Sequence, residues 1–113
     1  MIRIKVFKNK KGNIYGFNVE GHADFAQNGS DIVCSAVSVL TINTVNSIEF
    51  FSDERFDCEI DEENGGFLKM ILPDIKNENT NHDVELILKV MLNGLIDIKE
   101  EYGKYISITE EVC

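Results

Sequence analysis

The feature that most constrains this chain is a change of hydrophobic period along its length. Residues 2–7 alternate, so Ile2, Ile4 and Val6 share one side of an extended strand. A polar turn over 8–13 ends in Gly12-Asn13, and alternation resumes over 14–20 with Tyr15, Phe17 and Val19 set against Asn18 and Glu20. Two such segments around a short polar turn predict an antiparallel hairpin. From residue 32 to 51 the spacing becomes helical, with Val33, Val37, Leu40, Thr44, Ile48 and Phe51 at intervals of three and four. Period two returns over 55–61, which places Phe56, Cys58 and Ile60 inward and Asp57, Glu59 and Asp61 in water. An Asn64-Gly65 turn leads to a partner strand that stops at Pro73, the only proline. Thr80 or Asn81 then stands where a helix cap belongs, ahead of a stripe of Val84, Ile87, Leu88, Met91, Leu95 and Ile98 that ends near Glu101 or Tyr102. A last short strand spans 105–109. The expected fold is α+β: one domain over residues 1–113, order ββαββαβ, a mostly antiparallel sheet with two helices packed on one face.

Composition narrows the function classes. The 113 residues carry a net charge of −9, and a sequence pI near 4.6 argues against direct nucleic-acid binding, which relies on Lys and Arg displacing counterions. The same charge attracts basic partners, and it also simply favours solubility. The apolar residues fall in separated runs, so no membrane-spanning helix and no membrane partner is expected, and the alternating start does not read as a signal peptide. The cysteines at 34, 58 and 113 form no C-x-x-C pair. Reduced thiols in the cytoplasm are therefore expected. With only His22 and His82 to join them, no short paired ligand spacing exists, and neither a metal nor a cofactor is expected.

Chemistry concentrates between residues 21 and 38. Cys34 falls in the first turn of the long helix, with Ser30 or Asp31 placed to cap it; if Asp31 caps, Cys34 is the third helical residue. Orphan amides and the positive end of the helix dipole favour an anion there, and the thiolate is the form that attacks carbonyls. His22 closes the second strand, and the segment 23–33 between them contains Gly29 and Ser30. A histidine within reach would pair with the thiolate and later protonate a leaving amine. Gly21 and Gly29 give the backbone room for unusual dihedrals or close approach, and Ser38 sits one helical turn beyond Cys34. Spacing alone equally accommodates a small buried core thiol at Cys34. Cys58 reads as core, Cys113 as an exposed chain end and His82 as a solvated loop residue. The acids of 57–63 read either as the wet face of a strand or as a docking patch for a basic substrate.

Taken together, Gly21-His22-Ala23, Ala26, Gly29 and the run Asp31-Ile32-Val33-Cys34-Ser35-Ala36-Val37-Ser38 resemble the signature of the ribosomal-processing cysteine protease family, Prp. The likeness extends to the acidic middle hairpin and to the closing segment 94–108. It implies a cysteine endopeptidase that removes a short N-terminal extension from large-subunit ribosomal protein number twenty-seven and so supports ribosome assembly. Carried over by position, Cys34 is the nucleophile and His22 the general base and acid. Asp31 and Ser38 take supporting roles beside Gly21 and Gly29. The resemblance also implies a homodimer, and an apolar pocket to match a cleavage sequence rich in apolar and aromatic residues. Ser35 stands where alanine is common and Gly103 where many relatives have proline. The rival reading from another class is a non-catalytic acidic module that binds a basic ribosomal protein. A redox-sensing thiol is disfavoured because a resolving cysteine is missing.

Overall fold

A computed structural model describes residues 1–21, 30–61 and 66–112, with residues 30 and 31 described by their backbone alone. The hairpin forms as its alternation demands: β1, Ile2–Lys8, pairs antiparallel with β2, Ile14–Glu20, with Ile4 opposite Val19 and Val6 opposite Phe17. Its turn is closed by Asn9, which is 1% exposed. The Asn9 Oδ1 accepts from the amides of Lys11 (2.9 Å) and Asn13 (3.1 Å), and its Nδ2 donates to the Ile75 carbonyl at 2.8 Å. Gly12 supplies the left-handed conformation this turn needs, at φ +85°.

The long helix α1 runs Ser30–Phe51. Val33, Val37 and Ile48 are buried, each contributing roughly 1.5–3 kcal/mol of apolar transfer. Thr41 and Thr44 also face inward, and their hydroxyls donate to the Val37 and Leu40 carbonyls one turn back, at 2.8 and 2.7 Å. Burying these two polar groups is inexpensive because the helix supplies their partners. Phe51 departs from expectation: it ends the inward stripe by spacing, at the last residue of α1, but is exposed. Contrary to the reading of separated runs, Ile32–Phe51 is long and apolar enough by length and composition to cross a membrane. Its inward side is core, yet Val39, Ile42 and Phe50 lie exposed on the other.

β3 spans Asp57–Asp61 and pairs antiparallel with β4, Phe67–Ile71. Arg55 and Phe56 stay outside the strand because Asp57 already sits opposite Ile71, beyond which the partner chain leaves the ladder. Pro73 does more than stop β4. It opens a one-turn helix α2, Pro73–Lys76, where its fixed φ suits the first position and its missing N–H costs nothing. Ile75 of that turn is fully buried, and its carbonyl is the one Asn9 holds. Helix α3, His82–Tyr102, begins where Asn81 accepts from the Val84 amide at 3.2 Å. It buries Val84, Leu88, Met91 and Leu95. Asn81 also donates to Glu54 just past the end of α1, and Gly94 packs against Leu40, so α1 and α3 run antiparallel.

After a 3₁₀ turn at Gly103–Tyr105, β5, Ile106–Val112, returns parallel to β1, with Ile2 opposite Ile106. Gly103 has φ −56°, a value that proline also adopts. The sheet order is β3-β4-β2-β1-β5. Ile4, Val6, Phe17, Leu68, Met70 and Ile106 point to the helical face and are buried, while Arg3, Lys5 and Lys69 face outward. The architecture is thus a two-layer α+β sandwich, and the expected order gains one helix. The Asn64-Gly65 turn and Cys113 lie outside the described residues.

Candidate active site

One end of the sandwich opens into a cleft of about 120 Å³ where the end of β2, the first turns of α1 and the β3–β4 hairpin converge. Cys34 and Ser38 from α1 face Gly21, Ile60 and Asp61 across it. The volume approaches the ~150 Å³ of an engineered apolar cavity that binds benzene, so it suits one aromatic or branched aliphatic side chain. A larger hollow of about 650 Å³ lies along the far half of α1, from Asn43 to Phe51. It is shallow and is lined by no cysteine or histidine. Chemistry, and not volume, therefore selects the smaller cleft.

The helix begins at Ser30, so Asp31 lies inside its first turn and not ahead of it, and Cys34 is the fifth helical residue and not the third. An acidic residue at Asp31's position still complements the dipole, whose influence fades within one turn. Cys34 is half-buried against the core, and Ser38 is exposed one turn on. Gly21 has φ +92°, and a Cβ there would collide with the Met1 carbonyl oxygen, so the residue before His22 must be glycine for backbone reasons. Its amide donates to the Gly66 carbonyl at 3.1 Å, fixing the end of β2 against the start of β4. His22 and Gly29 lie outside the described residues.

Thr41 and Ile42 of α1, which the sequence did not single out, line the cleft together with Asp61, one of the acids read as a wet strand face or a docking patch; one cleft residue was placed wrongly. Ile60, expected in the core, is 54% exposed. Its alternation does put it on the helical face, opposite Leu68, but at the sheet edge it borders the cleft and is not covered. The second thiol on this face, Cys58, is half-buried as well. Burial, aided by the charge of Glu59, pushes its pKa up, which makes it a poor nucleophile.

A half-buried cysteine at a helix start, bordering a cleft sized for a side chain, fits a thiol hydrolase, and comparison with known proteins identifies the class as cysteine protease. The family model for cysteine protease Prp matches residues 1–107. The chain belongs to that family. It is 35% identical over 109 residues to the ribosomal processing cysteine protease Prp of Staphylococcus aureus (strain Mu50), covering 96% of this chain and 97% of that one. The Prp of Bacillus subtilis (strain 168) is 25% identical over 112 residues, covering 99% of each chain. Among solved structures, the S. aureus Prp in complex with a substrate peptide superposes with a TM-score of 0.86 at 32% identity, covering 98% of this chain and all of that one. The same S. aureus protease with a covalently linked product peptide gives 0.83 at 32% identity and the same coverage.

Proposed function

We propose that this chain is a cytoplasmic cysteine endopeptidase that removes an N-terminal extension from large-subunit ribosomal protein number twenty-seven, with Cys34 as nucleophile and His22 as general base and acid. The observation that carries the reading is the position of Cys34, in the opening turns of α1 on the wall of a side-chain-sized cleft, within a cysteine protease family. His22 takes the thiol proton, and the Cys34 Sγ attacks the scissile carbonyl carbon. The tetrahedral adduct collapses to a thioester as the imidazolium gives its proton to the leaving amine. Water, deprotonated by the same imidazole, then cleaves the thioester and returns the thiol. The covalently linked product peptide of the S. aureus relative supports such a covalent route. Asp31 and Ser38 support the site from either side of the nucleophile, one within the helix's first turn and the other one turn beyond.

Acidic Asp57 and Glu59, exposed on β3, favour a basic substrate. The helical layer leaves Val39, Phe50, Leu86 and Val90 at 60–81% exposure, which favours self-association through that side. A homodimer would sediment at twice 12.8 kDa. The decisive test incubates the extended ribosomal protein with the wild-type chain and with Cys34→Ala. Cleavage by the wild type alone is expected, and equal cleavage by both would overturn the assignment. His22→Ala should likewise abolish turnover while melting cooperatively. A Cys34 that iodoacetamide leaves unlabelled below pH 8.5 would instead favour an acidic binding module.

A further inference from the structure

β3 is an edge strand, and the backbone pattern shows which of its groups face outward. Gly21 donates to Gly66 and Leu72 to Tyr15, so residues 66, 68, 70 and 72 turn their amides and carbonyls toward β2. The odd residues of β4 therefore bond to β3, through the pairs Asp57–Ile71, Glu59–Lys69 and Asp61–Phe67. By the same alternation Cys58 and Ile60 aim their N–H and C=O groups away from the sheet, and among the described residues no strand lies beyond them. Their side chains stand on the helical face, and that of Ile60 borders the same cleft as Cys34. The opposite edge, β5, lies at the far side of the sheet from this cleft.

We infer that β3 is the docking rail for the substrate: an extended peptide adds to its free edge, pairing with the backbone of Cys58 and Ile60, and is thereby led to Cys34. This rests on the peptidase reading above. Strand addition draws affinity from main-chain hydrogen bonds and specificity from alternate side chains. Peptide residues beside Cys58 and Ile60 would point to the helical face, and the one beside Ile60 into the apolar cleft. Those beside Asp57 and Glu59 would meet exposed carboxylates on the open face. The favoured sequence therefore alternates apolar with basic residues. The same acids oppose pairing of this edge with a second copy of itself.

The test measures backbone amide exchange in the full-length Cys34→Ala chain, with and without a peptide spanning the extension junction of the ribosomal substrate. The Cys58 and Ile60 amides should exchange at least tenfold more slowly with peptide bound, while Glu59, already in the ladder, changes little. Binding without that alternation, or no binding, overturns the inference. A second arm compares Ile60→Pro with Ile60→Ala in the active enzyme. Proline at this edge position deletes the outward N–H without breaking a ladder hydrogen bond, though it also fixes φ, so kcat/KM should fall about fivefold further than with alanine, chiefly through KM. Equal values would count against the rail. Failure of the wild-type chain to cleave the same peptide would strike the peptidase assignment and not the pairing geometry, which the exchange data judge separately.

Discussion

At its turn, the β1–β2 hairpin is locked by one buried asparagine that satisfies two local amides and a carbonyl from α2. At its other end, the same two strands reach Gly21 and a cleft lined by a half-buried thiol. One end stores stability and the other is shaped for chemistry. The difference teaches that the two properties rest on separate residues, about one strand length apart, and single substitutions should separate them.

The sharpest contrast comes from Cys34→Ala, which should lower turnover by on the order of 10³ or more, the scale of losing a nucleophile. Its thermal melt should stay within a few degrees of the parent. Asn9→Ala should do the reverse: leaving a buried carbonyl and two amides short of partners costs about 2–4 kcal/mol, lowering Tm by roughly 10 °C with kcat/KM unchanged at low temperature. A variant at Asn9 that lost activity while folded would break the division. Gly21→Ala tests the boundary between the two regions. A left-handed φ and the nearby Met1 carbonyl predict a cost of about 1–3 kcal/mol, together with a fall in activity, because the chain enters the cleft there. The smallest effect belongs to Cys58. Since burial raises its pKa, less thiolate exists at any given pH, so its alkylation should begin at higher pH than for an ordinary thiol. Glu59→Gln should move that onset modestly back down.

Much of this was legible in the sequence. The bounds of β2, the inward stripe of α3 and a cap at Thr80 or Asn81 follow from period and capping chemistry, which are local; the structure makes it Asn81. The Asn9 clamp was not legible, because its decisive partner is the Ile75 carbonyl, 66 residues away. Pro73 was read as a stop when it is also a start, since proline suits both a strand end and a first helical position. Ile60 and Phe51 show a further limit. Periodicity names the face a side chain takes, but whether anything covers that face depends on how far the opposing layer reaches. For the candidate site, the motif singled out Cys34, Ser38 and Gly21, and the structure brings them to one cleft. The reason for Gly21, a collision with the Met1 carbonyl, is set only by the folded chain.

The parallel pairing of β1 with β5 has a kinetic consequence. Ile2 borders the Cys34 cleft, and its strand gains its outer neighbour only when residues 106–112 have been made. At typical synthesis rates of 5–20 residues per second, roughly 4–16 s separate the appearance of Cys34 from that of Val112. Through that interval the thiol is present while the sheet behind its cleft is incomplete. Contacts of such long sequence separation also form late in folding. The strand that carries Ile2 into the cleft therefore lacks its outer neighbour until residues 106–112 emerge, a delay between making the thiol and completing the sheet behind it.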